Sequence, residues 1–181
     1  MNLSRISWPI LVLFFLPMSL LRDAGARKQS PPNALAAEGF LAALAGTWQF
    51  RMYSADRTTP ITSGERVMDE TNDSTKLAWR ETIVDQADFG TGILGYNAAT
   101  GAYYMLGVYT HRPNPVVLVG RLDSSFRSIT FDPAANLGLA RPGIFTPSVL
   151  QLIDENRFEW RAADGSWRAA FIRVSSPIRR F

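Results

Sequence analysis

Apolar and polar residues alternate along most of the chain, in short runs separated by turn-forming residues. Such alternation places successive side chains on opposite faces of a β-strand. Before the first run, residues 37–45 are typical of one or two helical turns, with Phe40, Leu41 and Leu44 on one side. The runs predict ten strands. These are residues 48–54, 64–70, 76–84, 91–96, 102–109, 116–122, 125–132, 148–154, 157–162 and 167–174.

Most connections between the predicted strands are tight turns. Asn97 opens a turn that ends at Gly101, and residues 154–156 and 163–165 are equally compact. Hairpins of this kind pair consecutive strands in antiparallel order. We therefore predict an all-β fold, a closed antiparallel up-and-down barrel of eight to ten strands with a short N-terminal helical turn. The exception is residues 133–147, a proline-containing segment that is either a lid or binding loop, or a solvated surface excursion.

Closure of such a barrel brings the first and last strands together. Trp48 and Phe50 share the apolar face of the first strand, while Phe171 and Arg173 share a face of the last. If these strands pair antiparallel, Arg173 arrives beside Trp48 and can stack on it by cation–π attraction. We predict that Trp48 and Arg173 form a structural plug at the closed end of the barrel, with no part in ligand binding.

Gly90, Gly92 and Gly95 have the spacing of a dinucleotide-binding fingerprint. That fingerprint functions only where its glycines open a helix, whose N-terminal N–H groups receive the phosphates. Here the sequence continues as strand, turn and strand, so we interpret the spacing as a coincidence. We expect the glycines to permit sharp bending or bulging of a barrel strand.

Two segments resemble a known family. They are LAALAGTW at residues 41–48, with its Gly-x-Trp, and GTGILGYNAATGAYYM at residues 90–105. Both are similar to uncharacterised bacterial exported lipocalin-like proteins, which carry a Gly-Tyr-Asp-x-x-Thr-Gly-x-Tyr hairpin where this chain has Asn97. The resemblance spans roughly residues 40–175 and implies a lipocalin-like or calycin-type barrel. It implies no settled activity.

The N-terminus has the pattern of a secretory signal peptide. A single arginine precedes an apolar run, residues 6–21, and an Ala-x-Ala-like site follows at residues 24–26. The run is shorter than the roughly 20 residues of a membrane-spanning helix. We expect export to the periplasm or the exterior, with no stable membrane span after processing. The predicted organisation is a signal peptide (1–26), a flexible leader (27–39), the barrel (40–175) and a C-terminal tail (176–181).

Composition excludes several classes of site. The chain has 19 basic and 16 acidic residues, a net charge of +3, and the basic residues are scattered. Because a nucleic-acid reader needs a continuous basic face, we predict no nucleic-acid partner. With no cysteine and one histidine, we predict no protein metal site. The sequence does not indicate an oligomeric state.

Two titratable residues are candidates for chemistry. His111 precedes Arg112-Pro113 at a strand end and is more typical of a surface loop than of a haem ligand, so we predict no cofactor. Glu81 shares a strand face with Leu77 and Trp79. If that face is interior, Glu81 could have a raised pKa and act as an acid or base. The alternatives are a cross-strand ion pair with an arginine, or exposure of that face.

Aromatic side chains distributed over many strands would either fill the barrel interior or surround a cavity. Our leading hypothesis is a non-catalytic barrel that binds a small hydrophobic or amphipathic molecule. One alternative is a cell-envelope interaction or structural module with a filled barrel. Another is an isomerase- or cyclase-type enzyme that uses Glu81, Tyr109 or His111. The candidate ligand-binding residues are Phe50, Trp79, Glu81, Tyr103, Met105, Tyr109, His111 and Trp160.

Overall fold

The structure, a computed structural model, describes residues 34–84, 87, 89–110, 112, 114–134 and 146–175. The predicted signal peptide and the C-terminal tail lie outside these residues. None of the described residues form a helix with the length and hydrophobicity to cross a bilayer. The elements are one helix, α1 (Ala34–Leu44), and ten strands: β1 (Gly46–Ser54), β2 (Thr62–Glu70), β3 (Lys76–Ile83), β4 (Phe89–Asn97), β5 (Ala102–Tyr109), β6 (Val116–Leu122), β7 (Ser128–Pro133), β8 (Ser148–Asp154), β9 (Arg157–Ala162) and β10 (Trp167–Ser175).

The ten strands form one closed antiparallel barrel. Each strand pairs with its neighbours along the chain, and β10 pairs with β1 to complete the cylinder. The predicted fold class is therefore confirmed, including the up-and-down order. The bounds of β5, β6, β8 and β9 match the prediction residue for residue.

Alternation along the strands separates the barrel interior from its surface. In β1, Trp48 and Phe50 are buried, whereas Gln49 and Arg51 are exposed. Burying an aromatic or large aliphatic side chain contributes roughly 1.5–3 kcal/mol to stability. Such residues from all parts of the barrel form the core, among them Tyr103, Phe131, Phe158, Leu94 and Leu150.

Helix α1 covers one end of the barrel. Its predicted apolar side is buried, and Phe40 meets the ring of Tyr103 edge-on, with centroids 5.8 Å apart. The helix begins at Ala34, earlier than expected, so residues 34–39, which we had assigned to a flexible leader, belong to it. This segment is rich in alanine and leucine and has no β-branched residue, a composition that favours a helix.

The seam between β1 and β10 is fixed by Arg173. Its guanidinium carbon lies 4.0 Å from the ring centroid of Trp48, in the proximity that we predicted. The guanidinium also donates to the carbonyl oxygens of Ala45 at 2.6 Å and Ala43 at 2.7 Å. Trp48 Nε1 donates to the carbonyl of Leu44 at 2.8 Å. Because the last carbonyls of a helix lack intrahelical partners, these bonds attach α1 to the closed end of the barrel.

Strand β7 begins at Ser128 rather than at the predicted Ser125. The reason is the carboxylate of Asp123, whose Oδ1 accepts the backbone N–H groups of Arg127 at 3.1 Å and Ser128 at 3.2 Å. Phe126 adopts a left-handed φ of 56° in the turn that results. The side chain of Asp123 therefore competes successfully with strand pairing in this segment.

The glycine motif lies in a strand, as predicted. Gly95 is inside β4, and β5 follows after a tight turn, so no helix is present to receive a phosphate. Of the two roles expected for the glycines, bending or bulging, a bulge is not found. The β3–β4 and β4–β5 ladders run without a register shift.

The glycines of β4 and β5 instead make room for an aromatic ring. A Cβ atom on Gly92 would lie 2.6 Å from the indole of Trp79 and would collide with the carbonyl oxygen of Leu106. One on Gly107 would lie 2.7 Å from the same indole, and one on Gly90 would lie 3.2 Å from it. Real Cβ atoms do not approach to the distances found at Gly92 and Gly107, so there the indole sits against backbone that only glycine can provide.

Candidate ligand-binding cavity

A cavity of about 710 Å³ lies inside the barrel. Its lining includes Met52 near the end of β1, Thr62 at the start of β2 and Ile83 at the end of β3, which are the strand ends farthest from α1. Thr146, just before β8, also contributes. The cavity therefore occupies the half of the barrel opposite α1, at the end where residues 133–147 connect β7 to β8. Most of that loop, residues 135–145, lies outside the described part of the chain.

The half of the barrel nearest α1 is filled. Phe158 packs edge-on against Trp48 at 4.7 Å and stacks on Phe171 at 4.1 Å, both measured between ring centroids. Phe171 also faces the cavity, together with Phe50, whose ring centroid is 5.5 Å away. The interior is thus packed at one end and hollow at the other, a combination that neither of our two sequence-based alternatives described.

The cavity walls are mainly apolar, with a buried ion pair among them. Arg66 on β2 and Glu81 on β3 are cross-strand partners that both point inward, and they are only 5% and 8% exposed. Arg66 Nε donates to Glu81 Oε2 at 2.8 Å, and Nη2 donates to the same oxygen. Burial of either charge alone would be costly, so each makes burial of the other possible.

Aromatic rings enclose the guanidinium of Arg66. Its central carbon lies 5.1 Å from the ring centroid of Trp79, 5.3 Å from that of Trp160 and 5.0 Å from that of Phe171. Burial alone would lower the pKa of Arg66, but the influences of Glu81 and Tyr109, chiefly the negative charge of Glu81, together outweigh burial and the net pKa is raised. Arg66 is therefore a permanent cation held in an apolar wall.

Tyr109 completes the polar group of the cavity. Its ring centroid is 5.7 Å from that of Trp79, and it lies in the electrostatic field of both Arg66 and Glu81. Burial raises the pKa of Tyr109, although the positive charge of Arg66 counteracts part of this shift. The phenol is consequently neutral at physiological pH.

Trp160 is fixed by a second polar contact. Its indole Nε1 donates to Ser148 Oγ at 3.0 Å, and both residues are buried and line the cavity. The hydrogen bond orients one of the rings that surround Arg66. It also satisfies a donor that would otherwise be buried without a partner.

Five of the predicted ligand-binding residues line the cavity: Phe50, Glu81, Met105, Tyr109 and Trp160. Trp79 does not line the cavity itself, but its ring lies close to Arg66 and Tyr109, which do. Tyr103 lies toward the other end, between Phe40 and Tyr96. His111 falls outside the described residues.

Arg66 is the residue that sequence reasoning missed. The sequence places Gly64, Arg66 and Met68 on one face of β2, and the structure shows that Gly64 and Met68 on this face are buried. The opposite face carries Val67 between two acids, which made the interior side of β2 ambiguous. The cross-strand ion pair that we considered for Glu81 is the arrangement found, with Arg66 as its partner.

The site offers more to binding than to acid–base chemistry. Glu81 Oε2 takes both donors of Arg66, and Oε1 accepts no hydrogen bond from any described residue. Glu81 and Tyr109 do share the cavity, but the carboxylate is held in an ion pair. The third group of the enzyme hypothesis, His111, is not among the described residues.

The outer face of β4–β6 carries a separate group of apolar side chains. Ile93 pairs with Leu106, which is opposite Val117 on the next strand. Large apolar residues on this face are more than one-third exposed: Phe89, Ile93, Leu106, Val108 and Val119. We call these five residues the β4–β6 outer patch.

Comparison with known proteins does not assign the chain to a family. No protein-family model matches it, and no curated protein is similar to it at a significant level.

Proposed function

We propose that the protein is an exported lipocalin-like barrel that binds a small hydrophobic or amphipathic molecule without converting it. The observation that carries this proposal is the cavity of about 710 Å³, within the range of roughly 300–1,000 Å³ typical of small-molecule sites. Its walls are mainly aromatic and aliphatic, with a few buried polar groups. That combination suits an apolar ligand whose orientation is fixed by one polar end.

The hairpin motif supports the lipocalin-like part of the proposal. Asn97 Oδ1 accepts the backbone N–H of Ala99 at 3.0 Å, and Gly101 closes the turn with a left-handed φ of 67°. The motif residues thus have the turn role for which asparagine or aspartate and glycine are suited. Export rests on the signal-like sequence at residues 1–26, and cleavage there would leave the barrel complete.

A fluorescent-probe experiment tests ligand binding. N-phenylnaphthylamine, a neutral apolar dye, should brighten on binding the native protein and should quench the tryptophan emission of Trp160 and Trp167, which line the cavity. Ala169 also lines the cavity, whereas Ala170 on the same strand does not. Ala169→Phe should weaken dye binding at least several-fold, and Ala170→Phe should leave it unchanged. Equal binding by both variants, or no binding by the native protein, would refute the proposal.

The β4–β6 outer patch favours a second function, that of an interaction module of the cell envelope. Exposed apolar residues on neighbouring strands are typical of protein or membrane contact surfaces. Replacing Leu106 and Val119 with lysine would leave the interior untouched. If the patch is the working surface, this variant loses association with a partner or envelope fraction while it retains dye binding. If association is unchanged, the patch has no such role.

A further inference from the structure

We propose that the cavity selects a ligand whose inner end is a neutral group with both a hydrogen-bond donor and an acceptor, such as a carboxamide. This inference rests on the proposed ligand-binding function and names the chemical class of the ligand. The observation behind it is the unequal use of the Glu81 carboxylate, whose Oε2 takes both bonds from Arg66.

Glu81 Oε1 provides the acceptor of the proposed site. Of the described residues, Arg66 donates to Oε2 only and none donates to Oε1, and Glu81 lines the cavity. A carboxylate oxygen in a mainly apolar wall has few alternative donors, so a ligand N–H or O–H placed there gains a charge-assisted hydrogen bond. The guanidinium beside it carries five N–H groups, two of them used by Glu81, and supplies the matching donor.

The charge balance argues against an ionised inner end. Arg66 and Glu81 neutralise each other in a wall of aromatic rings. A carboxylate inserted there would place a second negative charge against one arginine, and an ammonium group would face the guanidinium. Either charge would lose its hydration without a free counter-ion. A neutral donor–acceptor group avoids both penalties.

Arg112 provides the rival arrangement. It lines the cavity near its outer end, and the described lining residues include two arginines and one glutamate. An anionic amphipath could therefore bind with its tail inward and its head beside Arg112. The two arrangements predict opposite affinity rankings for ligands that have the same chain length and differ only in the head group.

A head-group series distinguishes them. Decanamide, decanoate and decylamine have the same number of carbons and differ at the polar end. Displacement of N-phenylnaphthylamine from the native protein near neutral pH should give decanamide a Kd about tenfold lower than either ionised compound, as expected for one charge-assisted hydrogen bond. Decanoate binding as tightly as decanamide, or more tightly, would overturn the inference. If the dye binds but no head group is preferred, only the inference fails, whereas absence of dye binding removes the proposed function as well.

The variant Glu81→Gln sharpens the test. It keeps the shape of the side chain but leaves the charge of Arg66 uncompensated, so a carboxylate ligand can replace the missing partner. The preference should move toward decanoate by about tenfold or more, and an unchanged preference would contradict the inference. Thermal melting monitors whether the variant folds. The ranking measured on the native protein decides the inference independently of that variant.

Discussion

Arg66 and Glu81 lie opposite each other on β2 and β3, inside the barrel, with Arg66 Nε 2.8 Å from Glu81 Oε2. Both residues line the cavity. The guanidinium carbon of Arg66 lies 5.0 Å from the ring centroid of Phe171, which stacks on Phe158 toward the packed end of the interior. This ion pair is therefore both a structural element and the most polar feature that a ligand would meet.

The first prediction concerns the stability of this pair. Arg66→Met or Glu81→Leu alone leaves a buried charge without a partner and should lower the free energy of unfolding by about 3–5 kcal/mol. The double variant leaves an apolar wall and should be far more stable than the sum of the single losses implies. Urea unfolding of the four proteins measures the coupling. Strictly additive losses would show that the two side chains do not depend on each other.

The second prediction concerns the glycine beneath Trp79. Gly92→Ala forces a Cβ atom against the indole and the Leu106 carbonyl, and should destabilise the barrel by about 1–3 kcal/mol. Gly39 on α1 has open space where its Cβ would lie. Gly39→Ala should therefore stabilise the protein by about 0.5–1 kcal/mol, because alanine favours a helix. Thermal melting compares the two, and a shift of the same sign in both variants would contradict the steric explanation.

The third prediction concerns the seam of the barrel. Arg173→Met removes the guanidinium from the Trp48 ring and from the carbonyls of Ala43 and Ala45, at a cost of about 1.5–3 kcal/mol. Hydrogen exchange should also become faster in α1. Arg168, on the same strand, stacks on Tyr53 at the exposed surface. Arg168→Met should cost no more than about 1 kcal/mol. Equal losses in the two variants would show that Arg173 has no special role in closure.

The fourth prediction concerns acid stability at the β6–β7 turn. Burial tends to raise the pKa of Asp123, but hydrogen bonds from Ser125, Ser128 and Arg127 prevail and lower it from 3.8 to about 2. A depressed pKa in the folded state means that the carboxylate stabilises the fold above about pH 4 and loses this contribution as the pH falls toward 2. Asp123→Asn should therefore be less stable than the native protein near neutral pH. The difference in the free energy of unfolding between the two proteins should shrink between about pH 4 and pH 2. Urea unfolding across that range measures it, and a constant difference would refute the explanation.

The fold was predictable because its signals are local. Alternation and turn residues define each strand within a few residues, and the pairing of Trp48 with Arg173 follows once the barrel closes. The start of β7 was missed because the side chain of Asp123 captures backbone N–H groups that a strand would otherwise use. Such competition depends on side-chain geometry, which alternation does not describe.

The cavity depends on less local relationships. Arg66 meets Glu81 only because the β2–β3 turn sets the register between two strands, and neither strand alone indicates the pair. Whether the interior is hollow depends on the total volume of the inward-facing side chains at each height along the barrel axis. These side chains come from all the strands. The aromatic residues indicated an interior rich in rings. They did not indicate that one end is filled while the other is open.

The most direct test of the account uses the methionine methyl groups as reporters inside the barrel. Met52 and Met105 both line the cavity, whereas Met68 is buried opposite Gly46, close to the end of α1, and does not line it. Methyl-labelled protein titrated with decanamide and followed by NMR should show shifts of the Met52 and Met105 signals that saturate together, with the Met68 signal nearly unchanged. Unchanged Met52 and Met105 signals at saturating decanamide, or equal shifts of all three, would contradict binding inside the barrel.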